Sequence, residues 1–410
     1  MSNRILVLGA GFAGLWAAAG AMRKIVEHKA EREVAVTVVN RTSHHNIRVR
    51  NYEPDLSHVC VPLADVLTPI GVQIIVGDAL NIDIAGREVA VNTLEGPRIV
   101  EYDRLVMALG SATMRPPVPG LAEYGFDVDT YEAACRLGLH LKGLRARTRA
   151  SGQFTAVVVG AGLTGIEVAT ILPERLKLVR DGSASPEPIR VVIADRQPFV
   201  GSDMGESARP VIEEALRALG VEQRVSAEIE RIEEAGLLLA SGEWIDAATV
   251  IWCCGTRASP LIAALPLPHD RLGRVAVDEY MRVVGIRDCY AAGDVAAAKI
   301  DGEHSSVMSC QHGRPMGRYA GHNVAADLLG TPLLPLKVDS YVTILDLGPW
   351  GAVYTRGWDR EVVATGPAAK STKQTINCKR IYPPLSKKAN EILAAAAPVV
   401  QAPPAVGASG

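Results

Sequence analysis

Residues 4–18 read RILVLGAGFAGLWAA, and about 150 residues later residues 156–170 read AVVVGAGLTGIEVAT. Each is a short unbroken run of Val, Leu and Ile, then G-x-G-x-x-G, then an alanine-rich stretch. An apolar run without alternation suits a strand buried on both faces of a parallel sheet. In such a strand–turn–helix unit the first glycine permits a tight turn. The second lets the backbone approach a pyrophosphate, and the third lets the helix pack closely on the strand. The helix N-terminus then presents unpaired N–H groups and positive dipole charge to phosphates. The chain therefore carries two dinucleotide fingerprints, Gly9-Ala10-Gly11-Phe12-Ala13-Gly14 and Gly160, Gly162, Leu163, Thr164, Gly165. The fold class this predicts is α/β, with two Rossmann-type three-layer dinucleotide-binding domains.

Working outward, further buried strands are expected at 34–40, 105–109, 189–195 and 250–254. Residues 110–120 (GSATMRPPVPG) read as a linker, and residues 338–351 alternate with Gly and Pro, which predicts a small β-rich C-terminal domain. The division expected is 1–120 and 266–335 as the two parts of one nucleotide domain, 121–265 as the other, 336–393 as a C-terminal acceptor or dimerisation domain, and 394–410 as a disordered tail. That tail is Ala, Pro, Val and Gly with no charge.

The ribose partner of each fingerprint belongs at the end of the second strand of its unit. In the first it is Asn40, which bonds a hydroxyl less strongly than a carboxylate and also suits a turn cap. In the second it is Asp195, which accepts from the ribose hydroxyls and repels a 2′-phosphate, favouring NADH. Arg196 next to it leaves NADPH open. Glu167 follows Gly165 by two residues at the start of the helix, where a carboxylate is favourable on dipole grounds alone.

A chain of 410 residues exceeds one ordinary core, so two or three domains are expected. The composition, 48% hydrophobic and 21% charged, is that of a globular protein, and a net charge of −2 argues against a nucleic-acid partner. Seven scattered cysteines without a C-x-x-C pair suit a reducing cytoplasm. The N-terminus enters a strand directly, which predicts no signal peptide, and no apolar run spans a bilayer, so membrane contact could only be peripheral. His44 and His45 are adjacent and point to opposite sides of an extended segment. His304, His312 and His322 lack partners at ligand spacing, and no metal is expected. No nucleophile motif occurs.

Three further segments complete a resemblance. Residues 105–113 (LVMALGSAT), 250–260 (VIWCCGTRASP) and 289–296 (CYAAGDVA) follow the fingerprints in the order found in the two-dinucleotide flavoproteins of the pyridine nucleotide–disulfide oxidoreductase fold. Within that group the chain is most similar to the type II NADH dehydrogenases, in which a histidine pair follows the ribose position, as His44 and His45 do. The resemblance covers roughly residues 1–330. It implies FAD at the first fingerprint and a nicotinamide dinucleotide at the second. It assigns Gly293 and Asp294 to the flavin's ribityl side, and Arg41, His45, Arg48, Ala79, Ala108, Leu109, Gly110 and Gly255 to cofactor contacts. It places Glu167 near the nicotinamide, and Gln311 and His312 (SCQHG, residues 309–313) beside the flavin, as catalytic residues.

The implied activity is an FAD-dependent NADH oxidoreductase passing electrons to a quinone-like acceptor. The alternatives are a reductase of a ferredoxin-type carrier, for which Arg48 and Arg50 offer a surface, and a non-catalytic nucleotide sensor. The chain departs from the family where NIRVRNYE (residues 46–53) replaces an apolar stretch. No amphipathic C-terminal helix is evident, since Tyr382-Pro383-Pro384 interrupts the basic segment 371–381. No C-x-x-x-x-C pair occurs, and Cys60 stands alone. Cys253 and Cys254 read as core thiols, and Cys135 with Cys310 as a weak match to the paired cysteines of sulfide:quinone oxidoreductases. A homodimer suits the fold.

Overall fold

The computed structural model describes residues 3–146, 151–183 and 185–407. Strand β1 (Asn3–Leu8) ends in a segment, Ile5 to Leu8, that is almost completely buried. It is flanked in parallel by β2 (Val34–Asn40) and, across a long excursion, by β6 (Arg104–Met107); Ile5 stands opposite Val36 on one side and Arg104 on the other. The excursion is β3 (Gln73–Asp83), parallel to β2, then β4 (Glu88–Thr93) and β5 (Gly96–Glu101), which turn back antiparallel.

A second sheet is parallel throughout. Its strands are β7 (Gly125–Phe126), β8 (Thr155–Val159), β9 (Arg190–Ala194), β10 (Val221–Arg224) and β11 (Thr249–Trp252), in the order β7-β11-β8-β9-β10. One face packs on a small antiparallel sheet through Val157, Val192 and Leu237, and the other on helix α2 through Val158, Ile166 and Leu172. This is the three-layer arrangement that buried strands require. The chain then returns to the first sheet. Strand β12 (Cys289–Ala291) pairs with β6, giving the order β12-β6-β1-β2-β3-β4-β5. The two crossings between the sheets also pair, Ser111–Thr113 with Thr256–Ala258, so the linker expected at 110–120 is partly strand.

Three helices position the site. They are α1 (Phe12–Glu27) after the first fingerprint, α2 (Leu163–Arg180) after the second, and α3 (Cys310–Leu328) after β12. Helices α1 and α3 touch backbone to backbone. A Cβ on Gly317 would stand 2.1 Å from the Ala13 carbonyl oxygen, and one on Gly321 2.1 Å from that of Ala17.

The C-terminal part is an antiparallel meander, β13 (Val342–Asp346), β14 (Ala352–Arg356) and β15 (Glu361–Thr365), capped by α4 (Gly366–Thr375). A π-helical turn, Ile376–Arg380, ends it before Pro383 and Pro384. Helix α5 (Ala389–Ala395) then lies on α1.

The expectation of a disordered tail from residue 394 is corrected over the described residues. Ala396 is fully buried, Arg380 donates to the Ala402 carbonyl (2.7 Å), Tyr354 to that of Pro404 (3.4 Å), and the Gly407 N–H to Thr372 Oγ1 (3.0 Å). A segment too poor in large apolar side chains to build its own core needs none when it covers one already formed. Residues 408–410 lie outside the described residues. Among the described residues no helix is long and apolar enough to cross a membrane.

Because backbone atoms cannot yield as a flexible side chain can, Gly317→Ala or Gly321→Ala is expected to lower stability by about 2 kcal/mol or more. A urea midpoint equal to the parent's in either variant would contradict the close approach.

Candidate active site

The two fingerprints are built alike. Gly9 (φ 91°) and Gly160 (φ 103°) lie in the region that favours glycine, with space for a Cβ closed by the Ala108 and Cys253 carbonyl oxygens at 2.5 and 2.7 Å. A Cβ on Gly14 would strike the Gly9 carbonyl at 1.8 Å, and one on Gly165 the Gly160 carbonyl at 1.8 Å. The Gly9 N–H donates to Val39 and the Gly160 N–H to Ala194, which closes each loop onto its second strand.

Asn40 and Asp195 hold equivalent positions. Each side chain accepts from the backbone N–H after the first glycine, that of Ala10 (2.8 Å) and Ala161 (2.5 Å) respectively. Asn40 donates in turn to the Thr42 carbonyl, and Asp195 accepts from the Gln197 N–H. Both side chains thus brace the loop from behind.

Helices α1 and α2 start at Gly11 and Gly162 with no side-chain cap on their first N–H groups. Both ends open into one cleft of about 660 Å³, lined by Gly11, Phe12 and Ala13 from the first loop and Gly162, Leu163 and Thr164 from the second. A Cβ on Gly11 would meet nothing within 4 Å. At the second loop a Cβ on Gly162 would meet the Asp203 carboxylate at 3.1 Å. Uncapped helix N-termini across a backbone with no side chain suit pyrophosphates, so the residues fit two dinucleotides. Ala10, Ala108, Gly110, Gly255, Gly293 and Asp294 also line this cleft, whereas Ala79 and Leu109 line an adjoining cavity with Gly9, beside Arg41 and Asp78, which form an exposed ion pair.

Asp294 accepts from Ser111 Oγ at 2.6 Å. Arg48 donates to Ser111 Oγ (3.0 Å) and its carbonyl (3.1 Å), pairs with Asp129, and lies 3.8 Å from Asp294. It therefore ties the first domain to the segment entering the second. Ser111 lies in the LVMALGSAT segment without having been singled out, and Asp129 carries no motif and was not anticipated.

Glu167 is buried at the cleft edge, 2.7 Å from Lys373 Nζ on α4, and accepts from the Asp346 N–H at 3.2 Å. Asp346 itself receives Lys370 and the Tyr52 hydroxyl (3.0 Å). Burial pushes the Glu167 carboxyl up, against the opposing pull of Lys373. Burial pulls the Lys373 amine down, but the Glu167 charge and hydrogen bond outweigh it and leave the amine above its ordinary value. Both groups move up: for Glu167 burial outweighs the pairing, and for Lys373 the pairing outweighs burial. The short contact and the Lys373 direction identify a formed ion pair. Lys373 was missed because a buried Glu implies a cation but not which of many distant lysines supplies it.

Not every expected residue reaches the cleft. His45 is fully buried behind the first loop, with Nδ1 donating to the Ala10 carbonyl at 2.8 Å. Gln311 and His312, expected beside the flavin, do not line the cleft; their neighbours Ser309, Cys310 and Gly313 do. Gln311 turns to the backbone at the start of β13, where its amide donates to the Val342 carbonyl at 2.7 Å and accepts from the Val342 N–H at 3.3 Å. His312 is fully buried, and its Nδ1 accepts from the Val307 N–H at 2.9 Å. Helical rotation of about 100° per residue carries both away from the face that Cys310 and Gly313 present. Asp195, which braces its loop from behind, and Arg196 likewise are absent from the cleft lining.

Burial pulls the His45 and His312 imidazoles down to about 4. The unfolded chain takes up these protons below about 6.5 and the folded chain does not. Stability is therefore expected to fall as pH drops from 6.5 towards 4, by up to about 1.4 kcal/mol per pH unit for each histidine. Urea midpoints at pH 7 and pH 5 check this, and a smaller drop in a His45→Gln variant would assign it. Lys373→Met should cost about 3–5 kcal/mol by stranding a buried carboxylate, and adding Glu167→Gln should restore most of that. Equal stability of the single and double variants would show that the pair does not hold the domains.

Comparison with known proteins agrees with this geometry. The family model described as pyridine nucleotide-disulphide oxidoreductase matches residues 3–317. An NADH dehydrogenase-like protein of Mycobacterium tuberculosis is 55% identical over 405 residues, covering 98% of this chain and 100% of its own. A type II NADH:quinone oxidoreductase of Staphylococcus haemolyticus is 25% identical over 402 residues, covering 93% and 95%. Among solved structures, NDH2 from Plasmodium falciparum in complex with NADH superposes with a TM-score of 0.75 over 96% of this chain and 97% of its own, at 12% identity, which speaks for the fold. The chain belongs to the pyridine nucleotide-disulphide oxidoreductase family and is an NAD(P)H oxidoreductase.

Proposed function

We propose that the protein oxidises NADH and reduces a quinone. The observation that carries this is the single cleft into which both uncapped fingerprint helices open, with the Glu167–Lys373 pair at its edge. Overall, NADH, one proton and a quinone give NAD⁺ and a hydroquinone, so two electrons and two hydrogens reach the acceptor. Bound at the first loop, FAD supplies the two-electron relay between them. The relatives named as NADH dehydrogenase-like and as a quinone oxidoreductase support the reading.

The chain's own residues bind, orient and shield. Gly11 and the N-terminus of α1 hold the pyrophosphate of FAD, with Asp294 as the acceptor for a sugar hydroxyl on the far side. Gly162, Leu163, Thr164 and the N-terminus of α2 hold that of NADH. Asp195, with lone pairs left after bracing its loop, accepts from the ribose hydroxyls. Glu167, kept at the cleft edge by Lys373, orients the reacting end of NADH; Lys373 is the protonated group closest to it. Gln311 and His312 act on the site through the backbone they hold.

Anaerobic stopped-flow absorbance tests the proposal. The FAD-loaded protein should bleach rapidly with NADH and recover its colour with a short-chain quinone. Recovery only with oxygen or a ferredoxin-type carrier would replace the quinone, and absence of bleaching would end the hydride-transfer reading. Asp195→Ser should reduce the preference for NADH over NADPH by roughly tenfold.

A further inference from the structure

Cys310 begins a stripe on α3 that continues at Arg314 and Arg318, four and eight residues on. Both arginines are more than nine-tenths buried, 8% and 2% exposed. Among the described residues neither has an ion-pair partner. The Nε–H of each is buried without an acceptor, and so is the indole N–H of Trp16 on α1 between them. The Arg318 guanidinium lies 4.3 Å from the Trp16 ring centre and that of Arg314 5.8 Å, while the polar contact of Arg318 is a long 3.5 Å to the Val399 carbonyl. Burial pulls both guanidiniums down only to about 10, so both remain charged at neutral pH.

The α1–α3 interface thus holds two positive charges and three orphaned donors, and residues 394–407, which Arg318 reaches at the Val399 carbonyl, carry no charged side chain. Ring stacking eases a buried cation but does not replace an acceptor. What completes such a cluster is an acceptor-only, negative group, and a guanidinium selects a planar or tetrahedral oxyanion. Its position is also informative. Cys310 lines the cleft, and Arg314 is one turn away, about 6 Å along the helix.

We propose that Arg314 and Arg318 bind the acidic substituent (sulfonate, carboxylate or phosphate) of the electron acceptor, whose reducible ring lies towards Cys310. This rests on the quinone-reducing reading and narrows it to quinones that carry an oxyanion. The segment 394–407 lies over Arg318, held by hydrogen bonds from Arg318, Arg380 and Tyr354, by the Gly407 N–H on Thr372 Oγ1 and by buried Ala396, and its displacement from Val399 onward admits the acceptor.

The test compares the FAD-loaded protein with its Arg314→Gln and Arg314→Lys variants, using 1,4-naphthoquinone-2-sulfonate and its neutral 2-methyl analogue as acceptors at saturating NADH. Arg314→Gln should raise KM for the sulfonate at least tenfold, leave KM for the neutral quinone within twofold, and leave bleaching by NADH unchanged. Arg314→Lys should recover most of the difference. Thermal stability should hold or rise in Arg314→Gln, because an unpaired buried charge is removed. Equal changes for both acceptors, or none for the sulfonate, would overturn the proposal. So would lost binding to phosphatidylglycerol vesicles with sulfonate kinetics intact, which would make the arginine pair a lipid site. Calorimetry with naphthalene-2-sulfonate, which cannot be reduced, separates the two readings. Binding that weakens tenfold in Arg314→Gln supports the anion site even if no quinone is turned over, and its absence in the parent refutes it.

Discussion

The structure depends on how closely backbone can approach backbone at a few positions without side chains. Gly14 lies against Gly9, and Gly165 against Gly160, so each fingerprint helix sits directly on its loop. Gly317 and Gly321 admit α1 into the surface of α3 in the same way. Dispersion and apolar burial then act across a contact with almost no gap. The same closeness aims helix N-termini at the cleft, because a helix held that tightly has no freedom to tilt.

Charge divides the two halves where shape unites them. Asn40 and Asp195 brace equivalent loops, but one is neutral and the other anionic. A second layer of charge fastens the C-terminal part to the nucleotide domain, through Glu167 with Lys373 and Asp346 with Lys370 and Tyr52. These contacts set the cleft edge from a segment about 200 residues distant in sequence. Arg48 makes the corresponding tie at the other side, from the first domain to Asp129.

What was legible in the sequence is what depends on neighbours in the chain. The strand expected at 34–40 is β2, and those at 105–109, 189–195 and 250–254 correspond to β6, β9 and β11 with ends one or two residues different. Continuous Val and Ile runs admit little else inside a parallel sheet. The glycine loops followed from spacing alone. Side-chain direction did not: Gln311 and His312 sit on the expected helix but turn from the cleft, while Cys310 and Gly313 face it. Nor did long-range pairing, since nothing near Lys373 marks it as the partner of Glu167. The segment from 394 was misjudged because composition reports whether a stretch can make a core, not whether it can cover one.

The return of β12 to the first sheet has a consequence for how the protein is made. Its partner β6 is complete about 180 residues earlier, and α3 comes later still. At roughly 5–20 residues per second a ribosome needs about 10–40 s to cover that interval. The second sheet, contiguous over residues 125–252, can close during it. The first half must meanwhile wait with the open edge of β6 and the flank of α1 that α3 covers both bare. The nascent chain therefore passes through a stage in which the later domain is folded and the earlier one is not, the reverse of the order in which they leave the ribosome.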